Sequence, residues 1–349
     1  MGAKRPAGWA MSYLGYANPL RRLSGTLLGW LNPPRPVYQA PGIFHIIGHR
    51  GAPQSAPENT IPSFATAIEL GANAVETDVC VTRDGHFILW HDANPDGSVA
   101  QIRPLIDVGL YITCIPAPGS PWRQPVDELD LATLQTHYGY MHRAHGTTAL
   151  SQESVQPEVP IAVFEDLIEW ASLEKRVRCV FLDLKLTPEQ PDAAVSLLDL
   201  LRRLYTHEGF RDDLVFGLLS TQTEIVEAMV REAQRAVLPP TIQLYGDFEL
   251  PGVLSLAPRL GIRHASMGCT RRIWVDFRRE VSQVLAARDM ARFDSVIAWT
   301  VNDEAQLLEL MALGVNGIIT DNPALLRHIV ETSNHTPPTA HAPSPDLPE

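Results

Sequence analysis

Cationic residues are scarce in this chain: 28 Lys and Arg stand against 40 Asp and Glu, for a formal net charge of −12. That balance argues against a nucleic-acid partner, because a phosphate backbone selects basic patches. Cysteine is scarcer still. Cys80, Cys114, Cys179 and Cys269 lie far apart with no C-x-x-C pair. A zinc ribbon and a disulfide-stapled small domain are thereby disfavoured, and buried thiols are expected. No apolar run reaches the roughly 18 residues a membrane-spanning helix needs. The 349 residues are 45% apolar and 19% charged, enough for one large globular core. The acidic excess has one further consequence. An anionic substrate would be repelled unless a cation, an Arg or a Lys reverses the field locally.

Composition marks the chain's ends. Residues 1–42 read as an N-terminal extension closing in a Pro-rich linker, and residues 333–349 as a polar, Pro-rich disordered tail. Within the extension, residues 8–32 mix Trp, Tyr and Leu with Arg21 and Arg22. Three readings are open there: a helix packed on the main domain, an amphipathic segment giving peripheral membrane contact, or an export signal. A cytoplasmic or peripheral-membrane location is expected over export. The oligomeric state is left open.

Residues 43–332 alternate short apolar runs with amphipathic stretches, the pattern of a parallel sheet with crossover helices. Eight strands are expected: Phe44–Gly48, Ala74–Val81, Cys179–Leu186, Leu214–Leu219, Thr241–Tyr245, His264–Met267, Ser295–Val301 and Gly317–Thr320. Helices are expected at Ile61–Leu70, Ala193–Tyr205, Glu224–Gln234 and Glu304–Leu313, among others. Eight strand–helix units indicate a (β/α)8 TIM barrel, with a doubly wound open sheet as the alternative that periodicity alone leaves open. Residues 93–158 break the pattern and form a long insertion after the second strand, with one helix expected near Leu129–His137. Long loops at this end of a barrel shape substrate sites.

Residues that carry chemistry gather at the carboxyl ends of four strands. They are His49-Arg50-Gly51, Glu76-Thr77-Asp78, His91-Asp92 and Asp183-Leu184-Lys185. Side chains at i and i+2 of a strand share a face, so Glu76 converges with Asp78, and Asp183 with Lys185. Three converging carboxylates without cysteine suit one hard divalent cation, Mg2+ or Ca2+, better than zinc. Lys185 offers a point charge to a phosphate and Arg50 a bidentate contact. Two flanking imidazoles suit acid–base catalysis near neutrality.

The run from His49 to Asp92 resembles the signature of the glycerophosphodiester phosphodiesterase family. The matching pieces are His49-Arg50-Gly51, Pro57-Glu58-Asn59-Thr60, Glu76-x-Asp78-Val79, Thr82-x-Asp84-Gly85 and His91-Asp92. Phe164-Glu165-Asp166, Trp299-Thr300-Val301-Asn302 and the stretch from Gly314 to Pro323 are similar to later parts of the family pattern. The resemblance implies a TIM barrel with an insertion after the second strand. It implies that His49 and His91 form the acid–base pair. Glu76, Asp78 and the third carboxylate would hold the cation. Arg50 and Lys185 would contact the phosphate, with Glu58 near the metal or the glycerol moiety and Trp299 as an apolar wall for the alcohol part. The implied reaction is hydrolysis of glycerophosphodiesters to glycerol 3-phosphate and an alcohol. One departure stands out: Asp183 occupies a position where the family usually has Glu, one methylene longer. The alternative is a lysophospholipase D or sphingomyelinase D-like activity on lipid phosphodiesters, so the substrate is a small-molecule or a lysolipid phosphodiester.

Overall fold

A computed structural model describes residues 43–101, 109–143, 157–207, 210–269 and 273–335. The extension and its linker lie outside the described residues, as do parts of the insertion and the tail from residue 336. Residues 333–335, expected to belong to the disordered tail, instead complete the last helix, Pro323–His335.

Beginning with His45–Gly48 (β1) and Ala74–Val81 (β2), apolar and β-branched runs form the expected strands. They continue with Cys179–Leu184 (β7), Val215–Ser220 (β8), Ile242–Gly246 (β9), His264–Gly268 (β10), Ser295–Trp299 (β11) and Gly317–Thr320 (β12). These eight are parallel and close on themselves, because β1 pairs with both β12 and β2. Closure decides for the barrel over the open sheet. Two strands stop earlier than expected, β7 at Leu184 and β11 at Trp299, just where the chain turns out to build loops at the barrel mouth.

Alternation along each strand sorts the core into two layers. Inward-facing Ile47, Ala74, Cys179, Phe181, Leu219, Tyr245, Ile297 and Ile319 fill the barrel axis. Outward-facing residues such as Ile46, Val75, Val180, Leu182, Leu218 and Ile318 pack beneath the helices. The helix Pro191–Leu204 shows how its face is chosen: Ala194, Leu197, Leu198 and Leu201 are its buried residues, at i, i+3, i+4 and i+7. Local chemistry starts the helices. Thr60 caps Ile61–Glu69, and Asp303 caps Glu304–Leu313 by accepting from Gln306 N at 3.1 Å.

Phe87–Leu89 (β3) folds back antiparallel on β2 after the turn at Arg83-Asp84-Gly85. The insertion carries the expected helix, at Leu131–His137. It also carries a small antiparallel sheet of Tyr111–Cys114 (β4), Gly139–His142 (β5) and Val159–Pro160 (β6), which the sequence reading did not anticipate. A separate cluster of Cys80, Ile88, Trp90, Leu134, Tyr138 and Tyr140 glues the insertion to the β2–β3 hairpin. Cys80, Cys114 and Cys179 are buried and Cys269 half-buried, none of them in a disulfide among the described residues. Among the described residues no helix is long and apolar enough to cross a membrane.

Candidate active site

At the end of β1 the chain turns sharply through Arg50, whose φ of 53° is left-handed. Gly51 follows at φ 89°, where a Cβ would meet Ser63 Oγ at 2.4 Å, so only glycine fits. Ser63 pins this turn from the first helix: its hydroxyl donates to Arg50 O at 2.9 Å and accepts from Ala52 N at 2.8 Å. The turn delivers His49 and Arg50 to the barrel mouth. Arg50 N donates to Glu76 Oε2 at 2.9 Å, joining β1 to β2.

Glu76 and Asp78 face inward from β2, and Asp183 is the direct register partner of Asp78 on β7. Ligand oxygens of the three residues lie within 4.8 Å of one another. The shorter Asp183 side chain therefore still joins the group, because adjacent parallel strands set it beside Asp78. Lys185 Nζ bridges Asp183 Oδ2 at 2.6 Å and Asp78 Oδ1 at 3.1 Å. The Arg50 guanidinium lies against Asp78 Oδ2 at 2.9 Å and donates through Nη1 to both oxygens of Glu58, at 3.1 and 2.9 Å. Glu58 thus orients Arg50.

Charge is unevenly satisfied in this cluster. Burial works against ionisation of Asp78, yet Arg50 and Lys185 hold its carboxyl well below the usual range. Glu76 gains only the weaker pull of His49 and Arg50, which its burial outweighs. Burial, reinforced by the charge of Asp78, pushes it up to about 8. A third unit of negative charge is thus short of a positive partner. Buried carboxylate oxygens, no sulfur and a deficit of positive charge fit one hard divalent cation.

The two histidines sit on opposite flanks. His49 Nδ1 lies 2.6 Å from Asp321 Oδ1, and its Nε2 is 4.0 Å from Glu76 Oε2. Burial opposes protonation of His49, but Asp321 outweighs it and the pKa is raised. Asn302 steadies Asp321, donating to its Oδ2 and accepting from its backbone N at 2.8 Å. His91 returns to the mouth on the β2–β3 hairpin, where Trp90 N donates to Asp78 O at 3.1 Å. Its Nδ1 lies 2.8 Å from Asp92 Oδ1. Burial, then the nearby Arg50, lower its pKa.

All nine residues singled out from the sequence therefore reach one mouth: His49, Arg50, Glu58, Glu76, Asp78, His91, Asp183, Lys185 and Trp299. Trp299, expected as an apolar wall, makes a polar contact as well: its Nε1 donates to Asp247 Oδ1 at 2.9 Å. Sequence reasoning gave no role to Asn59, Asp92, Asn302 or Asp321, although all four stand inside the quoted motifs. Asp247 it missed altogether. The signal was available, because Gln243, Tyr245 and Asp247 share parity and Tyr245 faces the axis.

A model of the glycerophosphoryl diester phosphodiesterase family matches residues 49–249, and a second model of the same description matches residues 295–324. A glycerophosphodiester phosphodiesterase of Caldanaerobacter subterraneus is 49% identical over 51 residues, covering 15% of this chain and 21% of that protein. Human glycerophosphodiester phosphodiesterase domain-containing protein 5 is 25% identical over 291 residues, 81% of this chain and 42% of its own length. The chain thus spans less than half of either curated relative. An Oleispira antarctica phosphodiesterase, solved with the product sn-glycerol-3-phosphate, is similar in structure with a TM-score of 0.57 at 18% identity, covering 82% of this chain and 96% of that one. Likeness at that identity speaks to the shared fold.

Proposed function

Because the chain belongs to the glycerophosphoryl diester phosphodiesterase family, we propose that it hydrolyses glycerophosphodiesters to glycerol 3-phosphate and an alcohol. One observation carries the reading: two carboxylate-anchored imidazoles flank a carboxylate trio at the catalytic end of a TIM barrel. The product bound in the Oleispira relative has the matching chemistry.

Glu76, Asp78 and Asp183 would hold one divalent cation, Mg2+ or Ca2+. When bound, it supplies positive charge for the phosphoryl oxygens. Lys185, held between Asp78 and Asp183, would offer its ammonium to a phosphoryl oxygen. Arg50, steered by Glu58, offers its guanidinium edge to another. Asp321 and Asp92 each hold the Nδ1 of a histidine, which leaves both Nε2 atoms for proton transfer. One imidazole takes the proton of the nucleophile and the other gives one to the leaving alkoxide. The nucleophile is water or the glycerol 2-hydroxyl; accumulation of a cyclic phosphate separates the two routes.

The test is release of glycerol 3-phosphate from glycerophosphocholine, with either cation and with a chelator. Absence of turnover under every cation condition refutes the reading. A lysolipid substrate is the second reading. It is favoured by Ile273 and Val275, 67% and 55% exposed where the chain leaves the barrel mouth after β10. Faster hydrolysis of lysophosphatidylcholine than of glycerophosphocholine selects it.

A further inference from the structure

Among the described residues, the strand ends at the barrel mouth form two chemically different halves. From β12 through β1 and β2 to β7, the strand ends carry Asp321, His49, Glu76, Asp78, Asp183 and Lys185. These groups handle charge and protons. On the opposite half, β8 to β11 end in or lead to Ser220, Asp247, Gly268 and Trp299. Asp247 is the single ionisable side chain of those four, and it is recessed at 5% exposure.

Trp299 reaches Asp247 from two strands away, with Nε1 donating to Oδ1 at 2.9 Å. The span is possible because Gly268, on the strand between, has no side chain. A Cβ there would stand 2.7 Å from the indole. An aromatic ring therefore lies across this half of the mouth with a carboxylate at its edge. Aromatic faces accept C–H groups and an ionised carboxylate accepts hydroxyl protons, a pairing suited to a polyol.

A phosphodiester whose phosphorus sits in the charged half must lay one alcohol arm over the other half. We propose that Asp247, anchored by Trp299, accepts a hydrogen bond from a hydroxyl of the glyceryl arm and so selects glycerol-bearing phosphodiesters. The inference rests on the phosphodiesterase reading and names the substrate feature this half recognises. A quaternary ammonium arm also suits an aromatic face. Its methyl shell, however, carries no hydrogen-bond donor, whereas a glyceryl hydroxyl makes one directed bond to a carboxylate. Burial, with the charge of Asp183 added, pushes Asp247 up to about 7. A hydroxyl donor offsets that penalty by stabilising the ionised form.

The test uses the full chain with Mg2+ or Ca2+ and three phosphate monoesters measured by calorimetry. These are glycerol 3-phosphate, propyl phosphate (the same carbon chain without hydroxyls) and phosphocholine. Asp247→Asn keeps an acceptor for Trp299 and removes the carboxylate. Its dissociation constant for glycerol 3-phosphate should rise about tenfold or more, as for a lost hydrogen bond to a charged group. The preference for glycerol 3-phosphate over propyl phosphate should collapse with it. Trp299→Phe removes the indole donor and should move the same ratio in the same direction. It serves as the readout should the Asn variant lose cooperative unfolding. Equal weakening of all three ligands, or weakening confined to phosphocholine, overturns the proposal. A wild-type protein that turns over no glycerophosphocholine and binds none of the three overturns the phosphodiesterase reading and this inference together.

Discussion

Asn59 is the residue whose loss should cost the fold most for its size. It is fully buried, with a left-handed φ of 55°. β1 pairs with β2 only as far as Gly48 and Val75, and β3 takes over from Val79, so the edge of β2 between them lacks a strand partner on that side. Asn59 covers that edge. Its Oδ1 accepts from Asp78 N at 3.1 Å and from the Thr77 hydroxyl at 2.8 Å, while its Nδ2 donates to Asp78 Oδ2 at 3.0 Å. Asn59→Ala strands two buried donors and weakens the hold on Asp78. Each stranded group costs about 1–3 kcal/mol, and alanine tolerates a left-handed φ poorly, so a total loss of about 3–5 kcal/mol is expected. That is a large share of the roughly 5–15 kcal/mol typical of a domain. Urea unfolding followed by tryptophan fluorescence measures it. Asn59→Gly relieves the backbone but lacks the amide, and should recover no more than about 1 kcal/mol. A loss below about 1 kcal/mol for Asn59→Ala, or near-complete recovery with glycine, would show that the amide bonds do not hold this edge.

Other expectations follow from the same geometry. His49→Ala and His91→Ala should each slow glycerophosphocholine turnover by about a hundred- to ten-thousand-fold with the thermal transition kept, and turnover retained in both would remove the acid–base pair. Burial first, then Asp78, raises Glu76 to about 8, so the cation-free wild type should lose stability as pH rises from the unfolded value near 4.5 through that region. Glu76→Gln should remove this loss along with any thermal stabilisation by Mg2+ or Ca2+; a cation shift that survives in the variant places the ion elsewhere. At the opposite end of the barrel His264 stacks on Tyr245 and bonds Ser295 Oγ at 2.8 Å, with burial pushing it down to about 4. Its neutral form contributes stability that is complete above about pH 6.5 and falls as pH drops toward 4, by about 2 kcal/mol after allowance for partial exposure. His264→Gln should flatten that part of the stability profile, and an unchanged slope between pH 6.5 and 4 counts against it.

The sequence by itself determined the strands and the faces they present. Period-2 alternation is a local property, so Glu76 with Asp78, and Asp183 with Lys185, were assigned to shared faces from spacing alone. Places at strand ends singled out seven of the nine residues that meet at the mouth, His49, Arg50, Glu76, Asp78, His91, Asp183 and Lys185, while Glu58 and Trp299 came from the family resemblance. Closure of the barrel, the pairing of Asp78 with Asp183 and the small sheet in the insertion belong to tertiary structure, because each depends on which strand lies beside which. The same reason explains the groups that orient others. Asp321 lies 272 residues from the His49 it holds, and Asp247 is 52 residues from Trp299. No local periodicity reports such a pair. Only folding brings the partners within a hydrogen bond, and only burial there makes their charges matter.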